Sequence, residues 1–343
     1  MKNLCILRLS AIGDVCHAVA MVQRIRRQWP DARLTWVIGK VEHQLVGDIP
    51  GVNFVIFDKR QGRQAYVQLK QQLSGQTFDA LLVMQVALRA NFAAMQIKAK
   101  RKIGFDWQRS KEFHWLFTGK RIQPQQHAHV LDGFMAFADA LGVPVEDSVN
   151  WDMPLSEQDK LWAAEQTQSV GDYVIISPAA SKAERNWLPE RYAQIADYLH
   201  QQGKSVVLCG GPGALDRNVA DAILAHTNTI RADFVGKTSL KQMLALIAGA
   251  KLVIAPDTGP AHMATTVGTP VIGLYAHSNP RRTGPYLDQH RVVSVYDELV
   301  LQQKGKTWQA LPWGTRVKGT ELMARISVQA VQAKVDAWLS EGC

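Results

Sequence analysis

Four cysteines in 343 residues, none in a Cys-x-x-Cys pair, argue against a disulfide framework or a zinc ribbon. Asp-x-Asp and His-Glu-x-x-His occur nowhere, so a bound catalytic metal lacks obvious protein ligands. The absence of Gly-x-x-x-x-Gly-Lys-Ser/Thr excludes a P-loop NTPase. The first strand-to-helix turn, Ser10-Ala11-Ile12-Gly13-Asp14, lacks Gly-x-Gly-x-x-Gly, which disfavours bound NAD. No apolar run is long enough to cross a bilayer. The first eight residues read as a strand carrying a charge and not as a signal peptide. Cys5 and Cys209 lie inside apolar runs and are expected to be buried, reduced thiols. A cytoplasmic location is the expectation.

Charge is present in excess of one sign and on one side. The net charge is +9; residues 1–150 hold 20 Lys and Arg against 12 Asp and Glu, and the rest holds 19 against 18. A basic first half suits an anionic partner: nucleic acid, a phosphorylated glycolipid or an acidic membrane surface. A plain solvated face is the alternative. A basic and aromatic stretch from Lys98 to Arg121, with Trp107, Phe113, Trp115 and Phe117, is either core or a surface for an amphiphilic anion. The pair His127-x-His129 has no accompanying cysteine or carboxylate pair and reads as a helix entry.

Short apolar runs alternate with helical periodicity. Strands are expected at 4–9, 33–38, 52–57, 78–84 and 102–105, with helices over 18–29, 64–73 and 127–141. Residues 143–170 hold Pro144, Pro154 and polar clusters and read as an interdomain crossing. The alternation then restarts, with strands at 173–177, 205–209, 253–255 and 271–274 and a terminal helix over 320–339. This is α/β architecture with parallel sheets, in two Rossmann-like domains.

Three constellations carry chemistry. Ala255-Pro256-Asp257-Thr258-Gly259-Pro260-Ala261-His262 follows an apolar strand and opens a helix. It is either an anion site, using free N–H groups and the helix dipole, or a capped strand-to-helix turn. Asp14 sits at a helix start after the first strand, where it can be a base or simply a cap; spacing alone favours the cap. Lys182 and Arg185 lie in a loop after the first strand of the second half, and could neutralise a diphosphate leaving group. Gly210-Gly211-Pro212-Gly213 is a flexible turn.

Taken together, Ser10-x-x-Gly13-Asp14-Val15-x-His17, Lys182-x-x-Arg185-Asn186-Trp187-x-Pro189, Asp257-Thr258-Gly259-x-x-His262 and Asn279-Pro280-Arg281-Arg282-Thr283-Gly284 resemble family 9 glycosyltransferases, the ADP-heptose:lipopolysaccharide heptosyltransferases. The resemblance implies a GT-B fold: an acceptor-binding domain at 1–155, a nucleotide-sugar domain at 156–320, and a terminal helix at 321–343 packing back on the first domain. It implies an inverting, metal-independent transfer of heptose from ADP-heptose to the inner core of lipopolysaccharide, on a Kdo- or heptose-bearing lipid A, with no cofactor and no nucleic acid. Asp14 would be the general base and Arg185 the phosphate-binding cation, replacing a usual lysine. Ser181, Lys182, Thr238, Asp257, Thr258, Gly259 and His262 would line the donor. Ser10, Gly13 and His17, with Arg60, Arg63, Lys98, Lys100, Arg101 and Arg109 as anion contacts, would meet the acceptor. The family's acid after the Gly-Gly turn is missing; Gly213 and Ala214 stand there, and Asp216 is the nearest acid. Peripheral attachment to the cytoplasmic face of the inner membrane follows. A related sugar-nucleotide enzyme, such as an epimerase, and a non-catalytic nucleotide- or glycan-binding module are the alternatives.

Overall fold

The computed structural model describes residues 3–342. The chain forms two compact units, one ending at Pro154 and the other beginning at Leu155.

In the first unit, β1 (Asn3–Leu7), α1 (Ile12–Gln28), β2 (Arg33–Gly39), α2 (Lys40–Val46), β3 (Val52–Phe57), α3 (Arg63–Gln72), β4 (Ala80–Val83), α4 (Leu88–Met95), β5 (Lys102–Gly104), β6 (Lys120–Arg121) and α5 (Val130–Leu141) follow in order. The strands make one parallel sheet, β3-β2-β1-β4-β5-β6. Leu4 through Leu7 and Leu81 through Val83 are buried without a break, the pattern of strands covered on both faces. Helix α1 buries Val15, Val19, Val22 and Ile25 at helical spacing and packs on α5. His129 caps α5: its Nδ1 accepts from the Leu131 N–H at 3.1 Å, and Asp132 accepts from the His129 N–H at 3.0 Å. The His127-x-His129 pair thus opens a helix, as expected.

In the second unit the order is α6 (Glu157–Thr167), β7 (Tyr173–Ile176), α7 (Pro189–Gln201), β8 (Ser205–Leu208), α8 (Ala214–Leu224), β9 (Ile230–Asp233), α9 (Leu240–Gly249), β10 (Leu252–Pro256), α10 (Gly259–Val267), β11 (Val271–Tyr275), α11 (Pro280–Thr283), β12 (Val293–Ser294), α12 (Tyr296–Lys304) and α13 (Val328–Ser340). Its sheet, β12-β11-β10-β7-β8-β9, is also parallel and repeats the strand order of the first. Two corrections to the sequence reading arise here. The crossing at 143–170 contains a helix, α6, started by Ser156, whose Oγ accepts from the Asp159 N–H at 3.1 Å. The terminal helix α13 was expected on the first domain, but Val328, Val331, Val335 and Trp338 belong to the second unit's core, against α7. Cys5, Cys16 and Cys209 are buried and unpaired by disulfides, and burial pushes each thiol well up.

Strand order sets where each site lies. In each sheet the order reverses once, between β1 and β4 and between β7 and β10. Loops leaving neighbouring strands at such a point diverge to opposite faces and open a crevice at the carboxyl edge.

Candidate active site

The second unit's reversal point joins the loop after β7 to the turn after β10. The Ser177 N–H donates to the Ile254 carbonyl at 3.0 Å. Thr258 Oγ1 donates to the Ala179 carbonyl at 3.3 Å. Thr258 occupies the N-cap of α10, but its hydroxyl is spent on the neighbouring loop, so no side chain caps the helix. The first turn of α10 therefore leaves backbone N–H groups available at the crevice. Thr258 thus stands at the N-cap position named for the capped-turn reading, without making a capping bond of its own.

Asp257 is the hub of this edge. Its carboxylate accepts from Ser278 Oγ at 3.0 Å, lies 3.7 Å from an Arg185 nitrogen and 3.6 Å from His262 Nε2, and meets Thr283 Oγ1 at 3.5 Å. Burial pushes the carboxyl up most strongly. The hydrogen bond and charge of His262, the charge of Arg185 and the Ser278 hydroxyl outweigh it, so the group stays below the ordinary carboxylate range. Asp257 and Arg185 side chains are 15% and 16% exposed, so both reach the crevice while held by neighbours.

The Lys182–Pro189 motif divides its labour. Asn186 Oδ1 accepts from the Ala180 N–H at 2.7 Å and closes the loop. Trp187 is buried, its indole N–H donating to the Ile326 carbonyl at 3.0 Å. Pro189 is the first residue of α7, where its missing N–H costs nothing. These three residues anchor the loop, Arg185 turns to Asp257, and Ser181 and Lys182 stay exposed. Beyond β8, Asp216 Oδ1 accepts from the Gly211 N–H at 2.8 Å. The acid nearest the glycine turn thus stabilises the turn. Thr238 is half-buried, and its Oγ1 has no hydrogen-bond partner among the described residues.

In the first unit, Asp14 lies in the first turn of α1 and pairs with Arg8. The same carboxylate oxygen accepts from the Ala11 N–H at 3.5 Å, a weak capping contact. Arg8 is buried; its guanidinium donates to the Met84 carbonyl at 2.5 Å and stands 5.2 Å from the Phe134 ring centre. Burial lowers the Arg8 guanidinium most, and the charge of Asp14 and then Glu42 works against that. Gln85 ties the loops together, its Oε1 accepting from the Leu9 N–H at 2.8 Å and its Nε2 donating to Ser10 Oγ at 3.1 Å. Arg8, Glu42 and Gln85 were missed by the sequence reading. A cation ending an otherwise apolar strand was the available signal for Arg8.

Several expected acceptor contacts lie elsewhere. His17 is 3% exposed and packs edge to face on His129, with ring centres 5.2 Å apart, so it belongs to the interior. Lys98, Lys100 and Arg101 precede β5, which puts them at the amino edge of a parallel sheet, whereas Asp14 follows β1 at the carboxyl edge. The strand length between the edges is on the order of 10 Å or more. Lys100 is paired with Asp79 at 2.8 Å. Arg60 and Arg63 follow β3 and are exposed at the carboxyl edge. Arg109 follows β5 on that edge but is half-buried, 3.1 Å from Asp106 and 2.9 Å from Gln125 Oε1. Among the described residues no cluster of three His, Cys, Asp or Glu could hold a metal.

The sequence profile of glycosyltransferase family 9 (heptosyltransferase) matches residues 66–313. The lipopolysaccharide core heptosyltransferase OpsX of Haemophilus influenzae is 46% identical over 330 residues, 96% of this chain and 95% of that protein. The chain belongs to glycosyltransferase family 9. Family 9 members of known structure share its fold, which is GT-B: the Veillonella parvula glycosyl transferase family 9 protein has a TM-score of 0.82 at 22% identity, covering 99% of this chain and 98% of that one. Escherichia coli heptosyltransferase WaaC with ADP has a TM-score of 0.76 at 18% identity, covering 98% and 100%. The family profile contains the Arg185 loop and the Asp257 turn but begins after Asp14.

Proposed function

We propose that this family 9 glycosyltransferase moves heptose from ADP-heptose to the inner core of lipopolysaccharide, on a Kdo- or heptose-bearing lipid A, with inversion and without a metal. The observation that carries the substrate class is the 46% identity to a lipopolysaccharide core heptosyltransferase across almost the whole chain. In this reading Asp14 takes the proton of the acceptor hydroxyl as its oxygen attacks the anomeric carbon. The bond from that carbon to the ADP oxygen breaks, and charge develops on the diphosphate. Arg185 and Lys182 neutralise it, together with the N–H groups at the start of α10. Ser181, Thr258, Gly259, His262 and Asp257 line the diphosphate and sugar, and Thr238 offers its unpartnered hydroxyl to the nucleotide. Ser10 and Gly13 shape the acceptor loop beside Asp14, and Arg60 and Arg63 meet acceptor anions. The enzyme works at the cytoplasmic face of the inner membrane as a peripheral protein.

The test is a screen of ADP- and UDP-sugars against truncated lipopolysaccharide acceptors, read by mass spectrometry with and without a chelator. Heptose transfer from ADP-heptose that survives chelation is expected. Transfer from a different donor, donor turnover without acceptor, or chelator-sensitive activity restored by a divalent ion would each overturn the corresponding part. Asp14→Asn should lower turnover by about 10²–10⁴-fold while ADP affinity is kept.

A further inference from the structure

Among the described residues, seven of fourteen exposed large apolar side chains fall between residues 88 and 117. Ring and cleft contacts gather most of them into two groups that meet at the adjacent residues Trp115 and Leu116. Phe92 stacks edge to face on Phe117 at 6.1 Å between ring centres, and Trp107 lies 6.0 Å from Trp115. Met95, Leu116 and Phe117 line the same open cleft of about 510 Å³ with Lys100 and Lys102. Phe113, Leu116 and Trp107 are 62%, 61% and 63% exposed.

The display is built, not loose. Asn91 and His114 are fully buried beneath it. His114 Nε2 accepts from the Phe105 N–H at 3.2 Å, so Nδ1 carries the proton and donates to Asn91 Oδ1 at 2.9 Å. Asn91 Nδ2 donates to the Glu112 carbonyl at 3.0 Å, and Glu112 Oε2 accepts from the Leu88 N–H at 2.6 Å. Glu112 and Phe113 both take left-handed backbone angles, φ 49° and 58°, a conformation that disfavours bulky residues. A strained backbone and a buried polar network hold Phe113 out in solvent.

The rim is cationic. Residues 86–121 contain nine Lys and Arg and two acids, Asp106 and Glu112. Asp106 is buried against Arg109, and Glu112 is used by the Leu88 N–H. Arg121 lies 3.9 Å over the Trp107 ring. Arg89, Lys98, Lys111 and Lys120 are exposed. A second copy of this chain would place this cationic rim against itself. Exposed aromatic tips ringed by lysine match an anionic lipid–water interface, which accepts the rings at headgroup depth and the ammonium groups at its phosphates.

We infer that this surface docks the first unit on an anionic bilayer. The inference rests on the peripheral-membrane reading above and names the surface that performs it. It also reassigns Lys98, Lys100 and Arg101, which enter β5 at the amino edge, where Lys100 lines one cleft with Met95 and Leu116 of the patch, and not at the Asp14 edge.

The experiment is flotation of the full chain with vesicles of phosphatidylethanolamine and phosphatidylglycerol, or of phosphatidylcholine alone, with no donor or acceptor present. Binding to the anionic vesicles is expected, weakening with salt. Phe113→Ser with Leu116→Ser should lower partitioning at least tenfold, and Lys111→Glu or Lys120→Glu by about fivefold or more each. Trp115→Phe should retain binding, and unchanged melting checks that the variants fold. Equal binding by all variants, or no preference for anionic vesicles, overturns the inference. So does a self-associating protein that the Ser variants make monomeric without changing flotation. Heptose transfer is measured separately, so the transferase reading can fail while the docking surface stands, or the reverse.

Discussion

Replacing Asp14 tests two readings at once, because the same carboxylate is the proposed base and the ion-pair partner of the buried Arg8. Arg8 is 8% exposed and is further held by the Met84 carbonyl and the Phe134 ring. Breaking a buried ion pair from one side costs about 3–5 kcal/mol. The Asp14 side chain is 36% exposed, so solvent screens the pair and about 1–3 kcal/mol is the better expectation for Asp14→Asn. For a unit of this size that lowers the first melting transition by roughly 3–10 °C. Activity loss alone would therefore not separate base from cap. Pairing Asp14→Asn with Arg8→Met does, because it removes the stranded charge. The double variant should regain much of the lost melting temperature, seen by calorimetry, yet remain as inactive as Asp14→Asn alone in a single-turnover transfer assay. If transfer returns along with stability, Asp14 is a structural partner of Arg8 and the base lies elsewhere.

Arg185→Ala should weaken ADP binding by about 10–100-fold, since a charge-assisted contact to phosphate is lost; calorimetric titration that finds ADP affinity unchanged would remove Arg185 from the donor site. A Cβ at Gly39 would stand 2.3 Å from the Leu9 carbonyl oxygen and 2.4 Å from Glu42 Oε2. The backbone atom cannot give way, so Gly39→Ala should cost about 1–3 kcal/mol in chemical unfolding, and a neutral result would mean the loop before Asp14 is not tightly seated. Burial, helped by the Arg121 charge, pulls His114 down from 6.5 to about 4. The unfolded chain then takes up a proton that the fold refuses as pH falls from 6.5 towards 4. The first unit should lose up to about 3 kcal/mol over that window, and His114→Gln should flatten this slope in urea titrations at pH 7 and pH 5.

Much of the fold was legible because parallel strands covered on both faces produce unbroken apolar runs, as at Leu4–Leu7 and Leu252–Ala255. Helix α6 was not, because it buries only Ala163 and Thr167 and so carries almost no apolar stripe. In the site, Arg185, Asp257 and His262 were found from a motif and do converge. Their partners Ser278 and Thr283 come from the next strand's loop, and only tertiary structure brings them to Asp257. Arg8 pairs with Asp14 through a strand end, and Gln85 reaches Ser10 from β4's exit. Such contacts have no sequence spacing to read.

Lys98, Lys100 and Arg101 share the basic half of the chain with Asp14 but not its edge of the sheet. Charge alone puts this basic run and Asp14 in one group, because both lie in the basic half. In a parallel sheet, however, residues entering a strand stand at the amino edge and residues leaving one stand at the carboxyl edge. Lys98, Lys100 and Arg101 enter β5; Arg60 and Arg63 leave β3; Ser10 and Asp14 leave β1. The alternation of strands and helices, which makes the sheet parallel, is enough to separate the two groups. Charge reversal at Arg60 and Arg63 should accordingly raise the acceptor KM, by about threefold to tenfold for contacts near the surface. The same change at Lys98 should leave KM for a short, water-soluble acceptor unaltered. Steady-state kinetics with such an acceptor decide it: an equal rise from both reversals would mean that the acceptor reaches past the sheet, and that edge position does not sort these cations.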